Sequence, residues 1–406
     1  MEFGIFLNGY LPGPGAHDPA SEHEMLRREL AYVIQADKYN WKYAWFGEHH
    51  ALTEYSHSSA PEVTMGYLAH ATNRIHLGSG IMNLSPRVNH PVRNAERVAM
   101  LDHVSQGRYE WGTGRGAGSH EIATFNILDK NSTKSEWTEV IKEIPRMWEQ
   151  RDYSFEGEHF TVPYPHNVLP KPYGTSHPPI WVGCGNPGTF TQAGELGIGA
   201  IAFNFEPIYA LQGRIDAYKE AIVNCTEPLG QYVNNNIMMT NGVVCLSDRK
   251  RAREIALSAG RGYLYSLVCL YHDTMPKPDY APVWPDQPNS IPDEAFLDEL
   301  IEGGWLLCGD PDDVAEQIVK YQTVGCDQLV FGVPNDGVSH EEVLEMLELF
   351  GTKIIPEFDK DPVHSTTRYR QTAKRKYPEF AHPVPEVDVT VLPSSALIGL
   401  DGTRNF

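Results

Sequence analysis

The sequence predicts an α/β fold: a (β/α)8 TIM barrel with insertions and a C-terminal extension. Three features predict it. Eight short apolar or aromatic segments are mostly bounded by Gly, Pro or Asn, as strands are. Helical patterns fall between them. The alternation persists over ~350 residues, which argues for parallel strands with crossover helices; it also exceeds the ~250 residues of a minimal barrel, so insertions are expected. A doubly wound open sheet is the runner-up.

In chain order the predicted strands are Glu2–Leu7, Tyr43–Phe46, Ile75–Ile81, Arg108–Gly112, Ile180–Val182, Ala200–Phe203, Met238–Cys245 and Gln328–Gly332. Helices are expected over Glu24–Tyr39, Ala60–Thr72 and His90–Ser105, the last with Pro91 in its first turn and Gly107 as its stop. Thr133–Trp148 opens on Thr133 and Glu136, the spacing of a capping box. Asp310-Pro311-Asp312-Asp313 reads as a cap followed by Pro and acids, with Val314, Ile318 and Tyr321 on one face. Ser339 and Glu342 form a second capping box ahead of a stripe of Val343, Leu344, Leu347 and Phe350.

The expected organisation is a barrel over residues 1–355, with insertions near 150–178 and 271–308, and an arm over 356–406. Tyr153–Tyr173 reads as a hairpin plus an irregular stretch, and Tyr271–Pro292 as an aromatic, Pro-rich loop. The tail carries Arg368, Arg370, Lys374, Arg375 and Lys376 before extended, Pro-rich sequence, and is expected to be peripheral, packing on a partner subunit.

Charge narrows the function. Lys and Arg number 33 against 53 Asp and Glu, a formal charge of −20. That balance offers no basic face to nucleic acid and is repelled by anionic membranes. No apolar run reaches the ~18 residues of a membrane span, and Met1–Tyr10 lacks the basic start of a signal peptide. The six cysteines show no CxxC spacing and read as buried small hydrophobes in a reducing compartment. No Cys/His quartet points to zinc. A soluble cytoplasmic protein without nucleic-acid, membrane or metal partners is expected.

In such a barrel, chemistry sits at the C-terminal ends of the strands. Glu48, His49 and His50 follow the second strand; imidazole titrates near neutrality and suits proton transfer. A polar cluster that merely caps the strand is the alternative. Gly114, Arg115 and Gly116 lie in a Gly-rich run after the fourth strand, where glycines admit a ligand to the backbone and arginine suits a phosphate. A tight barrel turn is the bland alternative, and the Lys-Ser/Thr of a P-loop is missing. Gly183, Gly185, Asn186 and Thr189 follow the fifth strand and open a helix, with Asn186 as cap and Pro187 in the first turn; helix-start N–H groups and a hydroxyl can hold an anion. Ser79, Gly80 and Ile81 end the third strand, where small residues leave room for a flat ring or simply thin a crowded barrel end.

With these residues in view, the chain resembles the bacterial-luciferase-like flavin monooxygenases over residues 1–355. The resemblance is carried by WFGEHHALTEY (45–55), NHPVRNAERVAMLDHVSQGRYEWGTGRG (89–116) and PPIWVGCGNPGT (178–189), with FEGEHF (155–160) and GDPDDVAEQI (309–318) in support. It implies that Arg115 contacts the FMN phosphate together with Gly185, Asn186 and Thr189. It places a non-proline cis peptide at Gly80–Ile81 under the flavin ring. His49 and His50 match the paired histidines and Glu48 their acidic neighbour. Gly114 stands where the luciferase α-subunit has a reactive cysteine, Gly185 replaces an acidic residue, and LSPRVNHP (84–91) is longer, which favours a general monooxygenase over light emission. The resemblance further implies reduced FMN (FMNH2) supplied by an NAD(P)H:flavin reductase, a hydrophobic small-molecule substrate, Baeyer–Villiger insertion as one outcome, and pairing into a homodimer. The aromatic stretch Tyr263–Trp284 is expected to be a lid. The alternatives are a deazaflavin-dependent hydride-transfer enzyme and a non-catalytic flavin-binding barrel.

Overall fold

A computed structural model describes residues 1–11, 18–52, 55–116, 118–174, 176–203, 207–258, 293–335 and 337–373. Its strands are β1 (Glu2–Leu7), β2 (Tyr43–Phe46), β3 (His76–Ser79), β4 (Met82–Asn83), β5 (Tyr109–Gly114), β6 (Tyr153–Glu156), β7 (Thr161–His166), β8 (Ile180–Cys184), β9 (Gly199–Phe203), β10 (Ile237–Cys245), β11 (Leu306–Gly309) and β12 (Gln328–Gly332). The parallel order β12-β1-β2-β3-β5-β8-β9-β10 returns to β12, because β10 pairs with β9 through Ile237–Thr240 and with β12 through Met238–Gly242. Eight strands therefore close into a barrel, and they are the eight segments expected as strands. They read as apolar runs because both faces are covered, by side chains inside and helices outside.

The α-helices of five or more residues are α1 (Pro19–Lys38), α2 (Pro61–Ala71), α3 (Pro91–Val104), α4 (Ser119–Ala123), α5 (Thr133–Glu149), α6 (Pro187–Glu195), α7 (Gln212–Val223), α8 (Arg249–Ser258), α9 (Glu294–Gly303), α10 (Pro311–Thr323), α11 (His340–Leu349) and α12 (Ser365–Gln371). Five open on Pro (α1, α2, α3, α6 and α10), which gives up no helix hydrogen bond there. The capping boxes at Ser339/Glu342 and Asp310/Asp313 form. The hairpin β6–β7 forms as well.

Three local expectations are corrected. The third strand does not run to Ile81: β3 stops at Ser79, the Gly80–Ile81 peptide is cis, and β4 then pairs with β5. Thr133 and Glu136 make no capping box, because other partners take both side chains. Glu136 is buried against Ser85 and Arg87, while Thr133 Oγ1 donates to the Lys130 carbonyl at 2.9 Å. Leu306–Gly309, read as part of an insertion, is strand β11, which extends the sheet along Gly242–Cys245 of β10.

The barrel interior is filled by Phe6, Tyr43, Trp45, Trp181, Ile201, Met238 and Val330. Trp45 and Trp181 meet edge to face at 5.3 Å between ring centroids. Gly78 and Gly199 lie flat against these indoles, in space that a Cβ would contest. Bulk at mid-barrel thus requires glycine on the neighbouring strands.

The start of the expected peripheral arm belongs to the barrel body. His364 stacks on His76 at 3.7 Å and 9°, Thr366 donates to Glu110 at 2.5 Å, and Ser365 donates to Glu2 through its N–H at 2.9 Å and its hydroxyl at 2.6 Å. Arg370 forks onto Asp102, whose side chain is 0% exposed, at 2.8 and 2.7 Å, and donates to the Tyr173 and Ser176 carbonyls. Buried carboxylates, Glu2, Glu110 and Asp102, are what hold this segment, and a sequence reading of surface basic residues does not see them. Residues beyond Ala373 and the expected lid Tyr263–Trp284 lie outside the described residues.

Arg370→Ala leaves Asp102 buried without its counter-ion and is expected to lower the unfolding free energy by about 3–5 kcal/mol in urea titrations near neutral pH. Arg368→Ala, which breaks a solvent-exposed pair with Asp361, is expected to leave the urea midpoint in place. Equal effects of the two changes would contradict this assignment.

Candidate active site

The expected site residues all leave the barrel at one end, because the strands are parallel. Glu48, His49 and His50 follow β2; Ser79 ends β3 and Gly80–Ile81 follow it; Gly114 ends β5, with Arg115 and Gly116 next; Gly183 lies in β8, with Gly185, Asn186 and Thr189 after it. β5 and β8 are neighbours, with Thr113 opposite Val182. Arg115 and Cys184 are each two residues beyond that pair, so the Arg115 loop and the Gly185–Thr189 turn start side by side.

The two imidazoles have separate carboxylates. Glu48 is buried; one of its oxygens meets His50 Nε2 at 3.2 Å and the other accepts the Asn83 N–H at 3.4 Å. The ring hydrogen bond to Glu48 raises the His50 pKa above the ordinary imidazole value, against the opposing effect of burial. His49 Nδ1 lies 3.2 Å from Glu121 Oε2, and Glu121 Oε1 accepts the His50 N–H at 2.9 Å. His49 packs edge-on against Tyr55 and His50 against Phe125. Glu121, on α4, escapes a reading of the sequence: it lies 72 positions from His49, and no motif carries it there.

The glycines have distinct reasons. A Cβ on Gly114 would stand 2.6 Å from the Ile81 side chain, so that glycine makes room for Ile81. Gly116 has φ +69°, the left-handed region, and a Cβ there would meet Asn83 Nδ2 at 2.7 Å and Ile122 Cγ2 at 2.9 Å. Gly183 faces Ile81 from the other side, at 3.5 Å from the position of a Cβ. Gly185 is exposed, with open space where a Cβ would stand. Ser79 is buried and shares a hydrogen bond with the Tyr109 hydroxyl at 2.7 Å.

Arg115 is half-buried, and burial lowers its pKa from the ordinary guanidinium value. Its described partners are neutral: the Lys130 carbonyl at 2.9 Å and Thr133 Oγ1 at 3.2 Å. No ion pair of Arg115 exists among the described residues. A desolvated cation held by neutral oxygens favours an anion beside it. Opposite it, Asn186 caps α6 by accepting the Thr189 N–H at 3.2 Å, and the Thr189 hydroxyl donates to the Asn186 carbonyl at 2.7 Å. The helix start is therefore fixed, with Gly188 exposed within its first turn. No group of three or more His, Cys, Asp or Glu that could hold a metal occurs among the described residues, and no helix there is long and apolar enough to cross a membrane.

A closed parallel barrel, with a basic and glycine-lined seat and an acid-braced histidine pair at the same mouth, is the arrangement of a barrel enzyme that acts on a bound ligand. The sequence profile described as luciferase-like monooxygenase matches residues 1–328, and the chain belongs to that family of enzymes. It is 24% identical over 368 residues to the oxygenase component of a flavin-dependent trigonelline monooxygenase from Acinetobacter baylyi, covering 89% of this chain and 97% of that one. It is 24% identical over 351 residues to an F420-dependent glucose-6-phosphate dehydrogenase from Kineococcus radiotolerans, covering 83% and 95%. Among solved structures, the oxygenating constituent of 3,6-diketocamphane monooxygenase from Pseudomonas putida, in complex with FMN, aligns with a TM-score of 0.70 at 19% identity, covering 88% of this chain and 99% of that one.

Because Glu48 is what holds the His50 pKa up, Glu48→Gln is expected to move the His50 titration to lower pH in NMR-monitored titrations. An unmoved midpoint would show that the carboxylate does not govern this imidazole.

Proposed function

We propose that the barrel mouth binds FMN and that the chain is the oxygenase of a two-component flavin monooxygenase. The observation that carries this reading is the side-by-side departure of the Arg115 loop from β5 and the Gly185–Thr189 turn from β8. The residues fit an FMN phosphate. Arg115 is a half-buried cation with neutral described partners, Gly185 opens onto free space, and the start of α6 presents N–H groups. Gly183, Asn186 and Thr189 shape that turn, and Gly114 and Gly116 hold the Arg115 loop. The flavin ring would lie against Ser79, Gly80 and Ile81.

Reduced FMN, when bound, supplies the activation of O2, with one oxygen atom passing to the substrate and the other leaving as water. The protein's part is orientation and proton management. His50, whose pKa the Glu48 carboxylate raises, would donate a proton or hydrogen bond at the mouth, and His49, braced by Glu121, holds its ring beside it. The aromatic filling below this point, Trp45 and Trp181 with Phe6, keeps water from entering through the barrel. The substrate is a hydrophobic organic molecule; a carbonyl compound oxygenated by Baeyer–Villiger insertion accords with the diketocamphane neighbour. A relative that is itself an oxygenase component supports supply of reduced FMN by an NAD(P)H:flavin reductase. A net charge of −20 accords with a cytoplasmic setting. The second reading, hydride transfer with a deazaflavin, is favoured by the F420-dependent relative and uses the same phosphate seat.

Arg115→Ala is expected to weaken FMN binding about 10- to 100-fold by fluorescence titration. His49→Ala with His50→Ala is expected to keep FMN affinity within about threefold while oxygenation falls at least ~100-fold. Retained turnover in that double variant would reject the histidine roles, and tighter binding of deazaflavin than of FMN would reverse the order of the two readings.

Self-association is also proposed. The outer faces of α2 and α3 expose Val63 and Tyr67, and Met100 and Val104, around the ion pair of Glu62 with Arg97. Light scattering is expected to give a dimer mass, and Tyr67→Glu with Met100→Glu a monomer. A monomeric wild-type protein would reject it.

A further inference from the structure

Glu121 stands outside every motif the sequence offers, yet it touches both histidines. It is 6% exposed on α4, its Oε2 is 3.2 Å from His49 Nδ1, and its Oε1 accepts the His50 N–H at 2.9 Å. Among the described residues no Lys or Arg pairs with it. α4 begins just beyond the Arg115 loop. Gly116 packs in two directions at once. Toward α4 a Cβ on it would meet Ile122, the fully buried neighbour of Glu121; toward β4 it would meet Asn83, whose N–H reaches Glu48. The loop that carries Arg115 thus runs between both arms that hold the imidazoles, one through Ile122 and Glu121 and the other through Asn83 and Glu48.

Such an arrangement links two places on one short network. Arg115 is spent on the Lys130 carbonyl and Thr133 Oγ1. A phosphate at its guanidinium offers stronger, charge-assisted bonds and draws it away from them. Gly116 lies between Asn83 and Ile122, which a Cβ there would meet on either side, so a shift of this loop bears on both. We propose that Glu121 is a positioning residue that couples occupation of the phosphate seat to the setting of the His49 ring. This rests on the reading of the mouth as an FMN site. Energetic coupling of this kind is reciprocal: whatever the seated phosphate does to His49, His49 does to phosphate affinity. A purely structural Glu121 would do no more than satisfy the His50 N–H.

The two roles separate in one experiment on the full-length chain with 15N-labelled histidine. The His49 ring signals are assigned by their loss in His49→Ala. FMN, riboflavin and inorganic phosphate are each titrated into the wild type and into Glu121→Gln, which keeps an oxygen for the His50 N–H and loses the charge at His49. In the wild type, FMN and inorganic phosphate are expected to move the His49 Nδ1 signal, and riboflavin to leave it in place. In Glu121→Gln, FMN is expected still to bind, no more than about threefold more weakly, with the His49 signal unmoved. Glu121→Asp, with the charge on a shorter arm, is expected to keep a reduced response.

A His49 signal that moves in Glu121→Gln as it does in the wild type would overturn the coupling. So would a riboflavin response equal to that of FMN. FMN binding with a silent wild-type His49 would remove the coupling and leave the FMN reading standing; failure of the wild type to bind FMN at all would remove both. Loss of the fold in both Glu121 variants would assign the residue to structure and overturn the positioning role.

Discussion

Closure of the barrel is the constraint on which the rest depends. β10 bonds to β9 on one side and β12 on the other, which leaves the eight-stranded ring without a free edge and fixes every strand's direction. Parallel direction alone then gathers residues from four separate strands at one mouth. No contact among Glu48, Gly80, Arg115 and Asn186 needs to be specified by the sequence around them. Their positions follow from being the first residues past a strand whose register is set lower down.

The two mouths are built on opposite physical principles. At the N-terminal end, polar groups are sealed by α12, and burial favours their neutral forms. Desolvation pushes the Glu110 pKa up to about 8 and the His76 pKa down to about 3, with His364 held down to about 2. Those groups satisfy each other: Glu110 meets His76 Nδ1 at 2.7 Å, Thr366 at 2.5 Å and Trp181 Nε1 at 2.8 Å. At the C-terminal end the imidazoles are only partly buried, and the Glu48 carboxylate pushes His50 toward its charged form. The first arrangement is sealed from solvent; the second leaves two partly exposed imidazoles, each beside a carboxylate, at the open mouth.

Much of this was legible in the sequence, for identifiable reasons. Strands such as Glu2–Leu7 and Gln328–Gly332 are buried on both faces and so read as apolar runs, and Asn186-Pro187 marks a helix start by local chemistry alone. The motifs fell at strand ends, so a barrel reading sufficed to place them on one mouth. Long-range partners left no local trace. Glu136 has the spacing of a cap and is taken by Ser85 and Arg87 instead. Arg370 looks like a solvated tail residue and is anchored by Asp102, far away in sequence. Glu121 reaches His49 only because α4 lies beside the loop that follows β2. β11 was missed because four residues, Leu306–Gly309, are too few to show a period.

The central claim is that Arg115 and the turn from Gly185 to Thr189 grip one flavin phosphate. Crystals of the protein grown with FMN test it most directly. The account predicts phosphate density within about 2.7–3.2 Å of the Arg115 guanidinium and of backbone nitrogens at the start of α6, with the ring over Gly80–Ile81. Well-defined FMN bound elsewhere, or a phosphate clear of Arg115, would contradict it.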